Sequence, residues 1–355
     1  MKIVIPIYAY GKAGGFRVLS QLANHIIDYG HEVVFLSHKS SDVPYYPTKA
    51  EILYYDNNGK FFPTNDVSYK TPFLGIFSLR GILKNVLNNF NCDIILANHS
   101  LTAQPVAKCK NNAKKFYYIQ AYEPDFFKPF SLKNRLLQYI SKRSYRLGLN
   151  MIVNSEMYYD YKEIKAEKYV PPGIDLSIFK EIKNKKSDRL VIGTIGRKEK
   201  HKGTSYIIEA FKNLKNKHNL NIKMNVAFGT KDLESIEGIV TTQPDGDENL
   251  AKYYNSLDVY ICAQTIQLDA IHYPILEAMA CKVPVITTGY YPSSNANAFI
   301  IPIEDVKAIE DMVLIFLQCS KEDILNKTET ANEDIKQFDW KNVSRRMLNY
   351  FEEKS

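Results

Sequence analysis

Cysteine is sparse in this sequence. Five residues (Cys92, Cys109, Cys262, Cys281, Cys319) are scattered over 355 positions, with no CxxC pair and no Cys/His cluster. That pattern argues against a zinc framework and a disulfide scaffold. Reduced thiols in a cytoplasm are the simplest expectation. Glycine (16) and proline (15) are too few for a collagenous or low-complexity chain. No apolar run approaches the roughly 18 residues of a spanning helix. The opening MKIVIPIYAYGKAGG lacks the long apolar stretch and small-residue cleavage site of a signal peptide.

What remains is an ordinary globular composition, 45% apolar and 24% charged. At about 150 residues per domain, the length predicts two domains. Strand-like and helix-like segments alternate. Residues 2–8 (KIVIPIY) read as a buried strand, and Phe16, Leu19, Leu22, Ala23, Ile26 and Ile27 recur at helical spacing. Gly30 stops that helix and VVFL at 33–36 is the next strand, which makes a βαβ unit and implies a parallel sheet. Further strands are expected at 94–97, 116–120 and 151–154. Pro171, Pro172 and Gly173 break the pattern, and the charged segment 181–189 (EIKNKKSDR) reads as the domain boundary. A second alternation predicts strands at 190–195, 222–228, 258–262 and 283–287. The expected fold is α/β: two Rossmann-like, doubly wound parallel-sheet domains, 1–175 and 185–339, facing a cleft.

Several segments suit an anionic ligand. Gly11, Gly14 and Gly15 follow the first strand and precede a helix. Strand, glycine turn and helix is an anion-binding geometry, although the spacing is not GxGxxG and a plain tight turn explains it equally well. Strand 190–195 ends in Gly196-Arg197, and Lys202-Gly203 opens a helix. Arg can grip diphosphate oxygens as a fork and Lys as a point charge; the alternative is two solvated cations. Pro274 can start a helix, which would put Glu277 in its first turn, eight residues after Asp269. A carboxylate there can bind a ribose diol or simply complement the helix dipole. Asp245-Gly246-Asp247 spells DxD, a carboxylate pattern suited to metal, but it precedes the helix expected at 248–256 and reads as a cap.

In these segments the chain resembles the retaining glycosyltransferases of family 4, which have the two-domain GT-B fold. The matches run in order: GKAGGFRVLSQLA…GHEVVF, VPPGIDLSIF, IGTIGRKEKHKGTSYIIEAF, YYNSLDVYIC, YPILEAMACKVPVITT and a C-terminal helix containing Trp340. The resemblance implies a hexosyl transfer from a nucleotide-diphosphate sugar to a hydroxyl of a glycan or lipid-linked glycan, as in bacterial surface polysaccharide or lipopolysaccharide assembly. It implies that the helix at 340–355 crosses back to the first domain. It places Gly14 and Gly15 by the donor phosphates, Arg197 and Lys202 on the diphosphate, and Glu277 on the ribose. Asp269 falls where the family's first glutamate touches the donor sugar, one methylene shorter. The loop 270–273, with His272 and Tyr273, would offer backbone N–H groups to sugar and phosphate, although Ala270-Ile271-His272 replaces the family's glycine-rich segment. Gln120 lies near the place of a histidine that many relatives carry, and His99 is the other polar candidate for catalysis unless it caps a helix. No metal and no cofactor are expected. Rivals are a nucleotide-sugar epimerase or hydrolase of the same fold, and a non-catalytic sugar-nucleotide-binding subunit.

The charge, +7 overall, is lopsided. Residues 1–175 carry 22 basic and 14 acidic side chains, and ten of the cations fall within 94–155, where only Glu123 and Asp125 oppose them. Leu132, Leu136, Tyr139, Ile140 and Leu147 form one helical stripe among them. The stripe either faces a core or, with cations 108–146, meets an anionic leaflet, peripherally on the cytoplasmic face of the inner membrane. No aromatic-basic module points to nucleic acid.

Overall fold

The computed structural model describes residues 1–355 except 74, 128–129, 183–188, 197–198, 267 and 355. The chain folds as two compact units, Met1–Gly173 with Trp340–Ser355, and Ile174–Asp339.

The first unit opens with β1 (Lys2–Ile7), α1 (Gly14–Asp28) and β2 (Glu32–His38). Then follow β3 (Glu51–Tyr55), β4 (Phe61–Phe62), α2 (Ile76–Asn88), β5 (Ile94–Ala97), α3 (Ser100–Lys108), β6 (Lys114–Ile119), α4 (Leu132–Ser144), β7 (Asn150–Val153) and β8 (Lys168–Tyr169). Among the described residues the sheet order is β4-β3-β2-β1-β5-β6-β7-β8. All neighbours are parallel except β3 and β4. Central strands such as IILA are wholly buried, because helices cover both faces of a parallel sheet. The helix stripe read from sequence is the buried face of α1, centred on Leu19, Leu22, Ala23 and Ile26.

The second unit contains β9 (Leu190–Ile195), α5 (Thr204–His218), β10 (Ile222–Ala227), β11 (Ile239–Thr242), α6 (Gly246–Asn255) and β12 (Val259–Cys262). It continues with α7 (Tyr273–Ala280), β13 (Val285–Thr287), β14 (Phe299–Ile300), α8 (Val306–Gln318) and α9 (Lys321–Asp334). Its sheet order is β11-β10-β9-β12-β13-β14, all parallel. The chain then returns to the first unit through α10 (Trp340–Glu353), which buries Trp340, Val343, Met347 and Phe351. Trp340 stacks on His25 of α1, and Phe351 packs on Phe116 with ring centroids 4.7 Å apart.

Three expectations change. The division falls at Gly173, ahead of the charged segment 181–189, because the Ile174 N–H bonds to the Phe338 carbonyl and ties this stretch to the second unit. Residues 183–188 of that segment lie outside the described ones. Helix α6 begins at Gly246, two residues early, and Asp245 at its N-cap makes no side-chain capping bond. Finally, α4 buries only Ser141 and Ser144, while Leu132 is 84% and Tyr139 57% exposed, so the stripe along α4 does not face a core and only Leu147, beyond the helix, packs on one.

Candidate active site

In the second unit, candidate residues meet at the carboxyl ends of the strands. Gln264, two residues past β12, is the hub. Its Oε1 accepts from Lys202 Nζ at 3.1 Å and from the Tyr290 hydroxyl at 3.3 Å. Its side-chain amide faces His272 Nε2. Thr288 donates to the Gln264 carbonyl at 2.6 Å. With Nε2 accepting from that amide, His272 carries its proton on Nδ1, 3.8 Å from Cys262 Sγ. Burial pushes the Cys262 thiol up to about 11, which keeps it neutral beside Lys202. His272 also packs on Tyr290 with ring centroids 4.8 Å apart. The resulting wall holds the Lys202 ammonium and the His272 ring in fixed relative positions.

Lys202 ends a short 3-10 turn, and Gly203 follows at φ 75° as the N-cap of α5. A Cβ on Gly203 would lie 1.9 Å from the Ala263 carbonyl oxygen, so only glycine lets this turn approach the strand end. A hollow of about 440 Å³ opens beside it, between Gly196, Thr204, Phe228 and Thr230.

Glu277 is buried within α7, not in its first turn as the spacing suggested, because the helix starts at Tyr273. Its Oε2 accepts from the Tyr254 hydroxyl at 2.9 Å. Burial and the Glu277 carboxyl hold the Tyr254 phenol well above its ordinary pKa, so it stays a donor. The position past the first turn removes the dipole explanation for this acid. Asp269 stands exposed in the turn between β12 and α7. Arg197 lies outside the described residues. Tyr273 is partly buried as the first residue of α7, behind His272 at the N-cap.

In the first unit, Gly15 at the start of α1 faces the Gln120 side chain; a Cβ there would sit 3.3 Å from Gln120 Oε1. That buried oxygen has no hydrogen-bond partner among the described residues. Gly14 is open: a Cβ added to it would meet no atom of the described residues within 4 Å. His99 is a helix cap. Its Nδ1 accepts from the Leu101 N–H at 3.1 Å, and its Nε2 lies 3.2 Å from Glu123 Oε2. Both ring nitrogens are engaged, which leaves no lone pair for a general base. Glu123 is buried and also accepts from the Ser100 N–H (2.8 Å), the Ser100 hydroxyl (2.6 Å) and the Tyr117 hydroxyl (3.2 Å).

Residues 189–319 match the family model described as glycosyl transferases group 1. The match lies wholly within the second unit. Solved structures extend the likeness to the whole chain. Sucrose-phosphate synthase from Thermosynechococcus elongatus superposes with a TM-score of 0.75 at 14% identity, covering 99% of this chain and 98% of that one. HepE of Anabaena in complex with UDP gives 0.73 at 15%, covering 99% and 100%. A glycosyltransferase from Rickettsia africae gives 0.69 at 16%, covering 99% and 98%. At these identities the shared property is the fold, the two-domain GT-B architecture. No curated protein sequence matches the chain.

Within the second unit, the structure brings Lys202 and His272 together and places Glu277 inside the helix that His272 precedes. It leaves Asp269 at the surface. Reading the sequence missed Gln264, Tyr254 and Tyr290. Gln264 carried one usable signal, a polar residue just past a strand end where α/β ligand sites lie. Among the described residues no group of three His, Cys, Asp or Glu is placed to hold a metal ion.

Proposed function

We propose that the chain is a retaining, family 4 glycosyltransferase that moves a hexose from a nucleotide-diphosphate sugar to a hydroxyl of a glycan or lipid-linked glycan in bacterial surface polysaccharide or lipopolysaccharide assembly. The carrying observation is the Lys202–Gln264–His272 wall at the strand ends of the unit that matches the group 1 model. Lys202, joined by Arg197, neutralises the departing diphosphate. Glu277 accepts the ribose hydroxyls, and Asp269 and the loop 270–273 meet the sugar. In the first unit, Gly14 and Gly15 face the phosphates, and Gln120 positions a hydroxyl but cannot take its proton. HepE's complexes with UDP and UDP-glucose make a uridine diphosphate sugar the first donor to try. A nucleotide-sugar panel, with nucleoside diphosphate release followed with and without acceptors, tests the reading. Release that needs no acceptor would mark a hydrolase, and binding without release a non-catalytic subunit.

Cations and helix N-termini suffice for the leaving group, so turnover survives excess chelator. Complete loss of turnover, restored by one divalent ion, would refute this.

The protein works peripherally on an anionic leaflet at the cytoplasmic face of the inner membrane through residues 108–146. No helix among the described residues is long and apolar enough to cross a membrane, and the exposed α4 stripe lies among the cations. Each well-placed cation contributes about 1 kcal/mol, within a Debye length of about 8 Å. Lys133→Gln with Arg135→Gln should therefore weaken co-sedimentation with phosphatidylglycerol vesicles about thirtyfold. Equal sedimentation of variant and wild type at low salt would count against the basic face.

A further inference from the structure

Helices α2, α3 and α4 of the first unit enclose a groove of about 350 Å³. Its walls are apolar: Phe77 from α2, then Leu136, Ile140 and Leu147 from α4 and beyond. Its charged groups are all cationic: Arg80, Lys108 and Arg143, one from each helix, beside the neutral Ser100, Gln104, Tyr139 and Ser144. Among the described residues no carboxylate lines it. Glu123 bonds to Ser100 but is already buried against the Ser100, Tyr117 and His99 donors, and Glu163 lines the neighbouring hollow on the far side of Tyr139 and Arg143.

Arg80 is unusual among these cations. One arm of its guanidinium donates to Gln104 Oε1. Its Nε is buried and has no hydrogen-bond partner among the described residues. Burial lowers its pKa, which measures the cost of holding this charge away from water. Arg143 is held by the Tyr139 hydroxyl at 3.0 Å. A half-buried guanidinium beside two further cations and an aliphatic wall is matched by an anion that carries a hydrocarbon chain. Phe126, Phe130 and Leu132 extend the apolar surface outward, Phe130 being 88% exposed. Side chains of that kind enter a headgroup layer at modest cost.

We propose that this groove binds one anionic membrane lipid. Its phosphate sits between Arg80, Lys108 and Arg143, and its first chain methylenes lie along Phe77, Leu136, Ile140 and Leu147. Buried Ser100, the first residue of α3, also lines the groove, while Lys108 at the other end of α3 belongs to the phosphate site. This deepens the membrane reading above and rests on it: general attraction comes from the basic face, whereas the groove selects a lipid.

The test is calorimetric titration of the full chain with dihexanoyl-phosphatidylglycerol below its micelle concentration. Dihexanoyl-phosphatidylcholine and inorganic phosphate are the comparison probes, and vesicle co-sedimentation is measured separately. The expected result is binding of the phosphatidylglycerol at least tenfold tighter than either probe. Arg80→Met and Arg143→Met should each weaken it about tenfold, the loss of one charge-assisted contact. Circular-dichroism melting reports whether each variant is folded, and Arg143, on the exposed surface of α4, guards against a folding defect at Arg80. Lys133→Gln with Arg135→Gln should keep the short-chain lipid affinity while weakening vesicle binding. Wild-type affinity in both methionine variants, or phosphate binding as tightly as the lipid, overturns the groove. Vesicle sedimentation without short-chain lipid binding also overturns it and leaves the membrane reading standing. Short-chain binding without sedimentation overturns the membrane reading and the bilayer source together.

Discussion

Gly203→Ala is expected to lower the melting midpoint of the second unit by roughly 6–12 °C. Two costs combine. The backbone sits at φ 75°, where a side chain costs about 1–2 kcal/mol. The added Cβ would also lie 1.9 Å from the Ala263 carbonyl oxygen. That neighbour is backbone at a strand end, so the turn must move. A combined loss of about 3 kcal/mol gives the stated shift for a unit of this size. Moving the turn also displaces Lys202 from Gln264, so UDP affinity should fall with stability. Gly14→Ala is the control, since its Cβ meets nothing within 4 Å. Scanning calorimetry of both variants decides the matter. Equal midpoints for the two would mean that the turn is not as closely packed as described.

Glu277→Gln is expected to cost ten- to a hundredfold in UDP affinity, about 1.5–3 kcal/mol for a charge-assisted bond to the ribose hydroxyls. The melting midpoint should hardly change. The Tyr254 hydroxyl, 2.9 Å from Oε2, can donate to the amide oxygen of glutamine as it does to the carboxylate. Glu277→Ala would confound the result, because it leaves the buried Tyr254 hydroxyl without that acceptor. Isothermal titration with UDP alone separates binding from turnover. Unchanged affinity in a folded Glu277→Gln protein would remove this acid from the donor site.

Much of the scaffold was legible in the sequence. Ile94–Ala97 and Leu190–Ile195 were bounded as they stand in the structure, because short β-branched runs edged by polar residues mark buried parallel strands. Other strand ends slipped by one or two residues, since chain continues smoothly past the last ladder bond. The strands β3 and β11 were missed, and so were the two-residue strands β4, β8 and β14, which are too short to show a period.

The site divided differently. By itself the sequence determined that two Rossmann-like units follow one another, and that Lys202, His272 and Glu277 fall at strand ends and on the following helix, because hydrophobic periodicity and chain order are local properties. Only the tertiary structure decided what those side chains do. Gln264 joins Lys202, 62 residues away, to His272 through an amide whose importance no local pattern reveals. His99 looks like a base in sequence and is a cap in the fold, because Leu101 and Glu123 occupy its two nitrogens. The apolar stripe of α4 would have the same spacing whether it faced a core or solvent. Its direction was set by Ser141 and Ser144: Ser141 meets Ser100 of α3 at 3.2 Å and Ser144 meets Tyr117 of β6 at 3.3 Å. Those small polar contacts take the buried side of the helix and turn Leu132 and Leu136 outward.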